Sequence, residues 1–248
     1  MTRSGHATMA TDDIAGVLHL DKTRGRSLSR RHPWLFSGAV SHMDGDPGPG
    51  DTVDMVSSKG KFLARGAYSP GSRIRARVWT FDQDERIDRA FFARRVRAAA
   101  ALREAAGVPH TARACRVVFS EADGLPGLIA DRFEDTLVVQ IQSAGAEAHR
   151  DVLVEKLLEA TGCRRAYERS DTDAREREGL APRTGPVAGG EPPARIETME
   201  NGLRFAVDVR AGHKTGFYTD QRDNRALLRS HCAGAHVLDC FCYTGAFT

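Results

Sequence analysis

Two words near the C-terminal end decide the reading of this chain. The first is Gly216-Phe217-Tyr218-Thr219-Asp220-Gln221-Arg222-Asp223-Asn224-Arg225. The second, after a helical run, is Val237-Leu238-Asp239-Cys240-Phe241-Cys242-Tyr243-Thr244-Gly245. The second word reads as strand, tight turn and helix start. His236, Val237 and Leu238 make a short run of the kind that a parallel sheet buries. Asp239 falls where that strand ends, and Gly245 lets the backbone turn close to a ligand. In open α/β sheets, ligands bind beyond the carboxyl ends of the strands. A doubly wound sheet needs several strands, each returned by a helix, and only one begins here. The expectation is therefore a longer enzyme truncated at the start of its catalytic domain. The absence of G-x-G-x-x-G argues against a pyrophosphate dinucleotide site.

Working outward, Asn201-Gly202 lies between the runs Arg195–Glu200 and Leu203–Val209, a strong short-range signal for a β-hairpin. Upstream of it, Ser170 to Pro193 is polar with repeated Gly and Pro and predicts a mobile loop. Arg116–Phe119, Leu128–Phe133, Thr136–Ile141 and Arg165–Arg169 read as strands. Ala146–Thr161 reads as an amphipathic helix with Val152, Leu153, Leu157 and Leu158 inward. Together these predict a small α+β unit. The pair Glu121 and Asp123 could serve acid–base chemistry, but their turn-rich setting favours a structural link. Before this unit, Asp88 to Gly107 predicts a helix, with Asp88 as N-cap, Phe92, Val96 and Leu102 on its apolar side, and Gly107 as its stop.

From Val17 to about Asp82, short strand-like runs are punctuated by turn residues, and this pattern predicts a small barrel. Arg24, Arg26, Arg30, Arg31 and His32 precede Pro33-Trp34, while Arg73, Arg75 and Arg77 share one strand face. Guanidinium groups grip phosphates through paired hydrogen bonds. These eight residues are the candidate RNA-binding set. Trp34 and Phe36 fit either base stacking or the barrel core.

Charge divides along the chain. Residues 1–113 carry 19 Lys+Arg against 12 Asp+Glu, and the remainder carries 17 against 21. The basic part suits a polyanion, or simply a solvated basic face. No apolar run approaches the ~20 residues needed to span a bilayer. Residues 1–13 lack a signal-peptide core, so a disordered lead-in and a cytoplasmic location are expected. The five cysteines are scattered, and Cys240-x-Cys242 is too close for the usual zinc spacing, so free thiols and no metal are expected.

The two opening words resemble the S-adenosylmethionine-dependent 23S ribosomal RNA cytosine-5 methyltransferases with an N-terminal PUA domain. Two further words carry the resemblance: Arg31-His32-Pro33-Trp34-Leu35-Phe36-Ser37-Gly38 and Glu121-Ala122-Asp123-Gly124-Leu125-Pro126-Gly127-Leu128. It runs from about Val17 onward. The implied fold is mixed. A PUA-like β pseudobarrel spans 14–83, a linking helix 84–110, and an α+β middle domain 111–195 with its loop at 170–193. A hairpin and the first strand of a Rossmann-like α/β methyltransferase domain span 196–248. The implied cofactor is S-adenosyl-L-methionine, beside Lys214, Phe217, Tyr218, Asp220, Arg222, Asp239, Phe241, Tyr243, Thr244 and Gly245. Phe217 and Phe241 fit core packing equally well. The implied partner is 23S ribosomal RNA, with no membrane. Enzymes of this class attack cytosine C6 with a cysteine thiolate, so that C5 takes the methyl and a base removes its proton. That cysteine follows later strands, so no catalytic residue is expected within this chain, which would be inactive alone. The alternatives are a non-enzymatic PUA-type RNA-binding module or another nucleotide-dependent enzyme.

Overall fold

A computed structural model describes residues 14–22, 25–106 and 113–247. The lead-in 1–13, Arg24 and the helix stop at Gly107 lie outside those residues. The first unit is a six-stranded sheet of β1 (Gly16–Leu20), β2 (Trp34–Phe36), β3 (Val40–Gly45), β4 (Thr52–Val56), β5 (Phe62–Tyr68) and β6 (Ile74–Thr80). The spatial order is β2-β6-β5-β4-β1-β3. All neighbours are antiparallel except β1 and β4. Side chains alternate across a strand, so Leu18, Leu20, Val53, Met55 and Ala76 share the inner face and are fully or almost fully buried. A short helix, α1 (Arg26–Ser29), closes one end through buried Leu28.

Helix α2 (Arg89–Ala105) starts as its sequence predicts. Asp88 Oδ1 accepts the Phe91 N–H at 2.7 Å, which satisfies one of the free donors of the first turn. Phe91, Phe92, Val96 and Ala99 are buried, but Leu102, assigned to the apolar side, is 55% exposed.

The middle unit is a five-stranded sheet of β7 (Ala114–Phe119), β8 (Leu128–Phe133), β9 (Thr136–Ile141), β10 (Arg165–Ser170) and β11 (Arg183–Ala188), in the order β11-β10-β9-β8-β7. Strands β9 and β10 are parallel, so a crossover must join them. The single helix predicted there is two helices, α3 (Ala144–Ala148) and α4 (Arg150–Thr161), broken at His149. Leu153, Val154 and Leu157 are its buried residues, while Val152 and Leu158 are half-buried.

The expected mobile loop 170–193 is instead built structure. It holds α5 (Asp173–Glu176) and β11, which pairs antiparallel with β10. Long-range contacts fix it. Arg175 is buried and donates to Ile141 O and Glu147 Oε2, each at 2.8 Å. Glu178 is buried and accepts the Ser69 hydroxyl and Arg77 Nη2, each at 2.8 Å. Local composition could not reveal these partners.

The barrel and the middle unit share a core. Trp79 of β6 packs edge-on to Phe91 and Phe92, in one cluster with Leu128, Leu137, Ile141 and Leu153. Gly145 makes this contact possible, because a Cβ there would lie 2.3 Å from the Ala67 Cβ and 3.0 Å from the Trp79 ring. Strands β12 (Ile196–Glu200) and β13 (Leu203–Val207) form the expected hairpin. Asn201 and Gly202 both have positive φ, 50° and 81°, as a tight two-residue turn of this type requires.

The last segment departs from expectation. Helix α6 (Arg222–His231) forms, but Val237-Leu238-Asp239 is not a strand. Leu238 is 86% exposed and Phe241 is fully exposed. A strand needs a neighbour for its N–H and C=O groups, and among the described residues no strand lies beside this run. The expected first Rossmann strand is therefore replaced by irregular backbone at 235–239, followed by turns.

Candidate functional site

Among the contacts that pin the segment from 208 to 247, three stand out. Asp131 of β8 is fully buried, takes a two-armed ion pair from Arg116 at 2.9 and 3.0 Å, and accepts the Thr215 hydroxyl at 2.5 Å. Burial works against the charge on Arg116, yet its bond to Asp131 outweighs this and raises its pKa; Asp220 adds to the effect. At the second point, Arg225 of α6 makes a buried pair with Glu200 of β12 at 2.6 and 2.7 Å. At the third, Phe217 fills a core with Phe133, Val138, Ile196 and Val207, against the ring of Phe205. The choice left open for Phe217 thus resolves to core packing, with the side chain 4% exposed.

These anchors present a small polar cluster. Lys214 has positive φ and holds its ammonium 4.9 Å from the Tyr218 ring centroid. Tyr243 stacks on His213 at 4.6 Å and meets Tyr218 edge-on at 6.0 Å. Its hydroxyl accepts the His213 N–H at 2.8 Å and donates to Gly216 O at 3.3 Å. The two sequence words therefore converge through Tyr218 and Tyr243, with Lys214, two residues before the first word, against the Tyr218 ring. Asp239 lies four residues before Tyr243, and its Oδ2 is buried without a hydrogen-bond partner among the described residues. Gly245 has φ 71°, consistent with the expected tight turn. Asp220, Phe241 and Thr244 are exposed. Arg222 is committed elsewhere and donates to Ala114 O at 2.8 Å. Sequence reasoning missed His213, Thr215 and Asp131, whose roles depend on contacts across the fold.

The cysteines separate by environment. Burial pushes the Cys115 and Cys163 thiols up, which disfavours the thiolate needed of a nucleophile. Cys240 and Cys242 are exposed in the turn.

On the barrel, Arg26, Arg30, Arg31, His32 and Arg73 are exposed. Arg75 and Arg77 depart from the expected RNA face. Arg75 donates to the carbonyls of Ser69 and Pro70. Arg77 is held by buried Glu178 and lies 3.8 Å from Glu121. Trp34 is neither a free stacking platform nor core; it is half-buried and its indole N–H donates to Glu121 Oε1 at 2.7 Å. Glu121 and Asp123 act as the expected structural links, with Asp123 accepting two bonds from Arg103 at 2.5 and 2.7 Å. A cleft of about 830 Å³ between barrel and middle unit is lined by Arg31, Lys61, Phe62, Phe81 and Arg95. It is lined by none of the residues of the Lys214–Tyr218–Tyr243 cluster.

Residues 18–81 match the PUA-like domain family, and residues 170–248 match the S-adenosylmethionine-dependent methyltransferase family. The chain is 50% identical over 235 residues to Ribosomal RNA large subunit methyltransferase I of Tolumonas auensis, covering 94% of this chain and 59% of that protein. It is 51% identical to the protein of the same name from Shewanella denitrificans, with 93% and 58% covered. The chain thus spans under three-fifths of the length of these relatives. Two solved structures share the fold at 21% identity. One is a protein of Streptococcus mutans designated a SAM-dependent methyltransferase (TM-score 0.76), and the other a designated methyltransferase complexed with SAH (TM-score 0.77). Each covers 93% of this chain and 58% of its own. Among the described residues no helix is long and apolar enough to cross a membrane.

Proposed function

We propose that this chain carries the RNA platform and one wall of the donor pocket of an S-adenosylmethionine-dependent methyltransferase that modifies C5 of a cytosine in 23S ribosomal RNA. The observation that carries the reading is about 50% identity, across nearly the whole chain, to relatives named for methylation of large-subunit ribosomal RNA. The residues fit such a donor. Asp239 offers a buried carboxylate oxygen in need of a donor, as an ammonium or a ribose hydroxyl would supply. Tyr218 and Tyr243 offer ring faces beside a turn, where a sulfonium or adenine is accommodated. When bound, the cofactor supplies an electrophilic methyl. Lys214 lies at the mouth, and Asp131 and Glu200 hold Thr215 and Arg225, which fix the path of the first word. Arg26, Arg30, Arg31, His32 and Arg73 take the phosphates of the RNA. None of the described cysteines is assigned the role of nucleophile.

The test is genetic and chemical. With the gene deleted in its host, mass spectrometry of digested 23S RNA should lose one 5-methylcytidine. Restoring the gene should bring it back, and restoring the Asp239→Ala form should not. Ribosomal RNA unchanged by the deletion would overturn the reading. A lost methyl on another base or atom would overturn the cytosine C5 assignment.

A further inference from the structure

We propose that His19, His42 and Asp44 form a divalent transition-metal site, best suited to Zn²⁺, on the outer face of the barrel sheet. One donor atom from each of the three lies within 4.8 Å of the others, the one grouping of this kind among the described residues. Backbone register builds it. His19 of β1 sits directly opposite His42 of β3, and Asp44 follows two residues on, so all three project from one face. The imidazoles stack at 4.0 Å, and His19 Nε2 lies 2.8 Å from Asp44 Oδ2. The neighbouring hydroxyl sets the chemistry of His42. Ser41 Oγ donates its proton to His19 O at 2.8 Å and lies 3.3 Å from His42 Nδ1. With its proton committed, that oxygen can only accept from the ring. Nδ1 then carries the hydrogen and Nε2 presents a bare lone pair, the tautomer a metal takes. Two imidazoles and a carboxylate suit zinc, whose bonds of about 2.0–2.2 Å separate tetrahedral ligands by roughly 3.3 Å. His19 and Asp44 must part slightly and the His42 ring must tilt inward, and neither ring is locked in a core. Water fills the remaining position. The bound ion would clip β3, the edge strand of the sheet, onto β1. The sequence hides this site, because His19 and Asp44 stand 25 residues apart.

The experiment is titration of the purified protein with Zn²⁺ alone, by calorimetry and by imidazole NMR. The chain also has exposed Cys240 and Cys242, so Cys240→Ser/Cys242→Ser serves as the control. Expected are one-to-one binding, shifted His19 and His42 ring signals, affinity at least about tenfold weaker in His42→Ala, and no loss in the cysteine control. His42 is on the exposed face, so its replacement leaves the core intact. Asp44→Asn should weaken binding without abolishing it. Equal binding by wild type and His42→Ala, binding lost only in the cysteine control, or unmoved histidine signals would each overturn the site.

Discussion

The seam between barrel and middle unit and the turn at 236–245 differ in how their contacts are supplied. At the seam, Trp79, Phe91, Phe92 and Leu128 are nearly or fully buried in one cluster, and Glu178 reaches across from the turn after α5 to Ser69 and Arg77. In the turn, Val237, Leu238 and Phe241 are exposed, while Tyr243 bonds to the His213 N–H and Asp239 has a buried carboxylate oxygen. Long-range packing makes the first region a rigid platform. The second is a short stretch of ligand-type groups carried on a few anchors. Binding elements commonly come from the less stable end of a structure, because they must rearrange around what they bind.

This contrast can be broken by mutation. The largest effect is expected from Glu178→Ala, which leaves the Arg77 charge without its close partner inside the seam. Urea denaturation should register a loss of about 3–5 kcal/mol. Phe217→Ala empties a core position under the first word and should cost roughly 3 kcal/mol, read the same way. A smaller effect comes from pH. His149 packs against Phe92 at 4.5 Å, and burial lowers its pKa from 6.5 to about 4. The unfolded chain then binds this proton more readily than the folded one. The contribution is therefore complete above pH 6.5 and declines as pH falls to about 4, by at most about 3 kcal/mol. His149→Phe should flatten that part of the stability–pH curve. The smallest effect is expected from Leu238→Ser, within about 0.5 kcal/mol of wild type. A large loss there would mean that the turn is packed after all.

Legibility followed the range of the interactions involved. Asp88 and the Asn201-Gly202 turn were readable because a cap and a positive-φ turn are local requirements. Strands β8 and β9, which pair antiparallel, were readable as two runs on either side of Glu134-Asp135. Strand β11 was not, because Gly185 and Pro186 argue against a strand until β10 offers its edge. Arg77 looked like an RNA contact because the sequence places it in line with Arg73 and Arg75 and gives no sign of Glu178. Val237-Leu238 looked like a strand because its composition suits one, but composition cannot supply a neighbour. The candidate site followed the same rule. Lys214, Tyr218 and Tyr243, named through the resemblance, lie beside one another in the fold, while the contacts of Asp131 and His213 need the fold itself.

The seam has a practical consequence. The chain contains two tryptophans, and both stand at this boundary: Trp34 bonds across it to Glu121, and Trp79 is sealed within it. Ultraviolet-excited emission from the unlabelled protein is therefore a built-in optical gauge of whether the two units are docked. It should redden when they part, even where backbone dichroism still reports intact secondary structure.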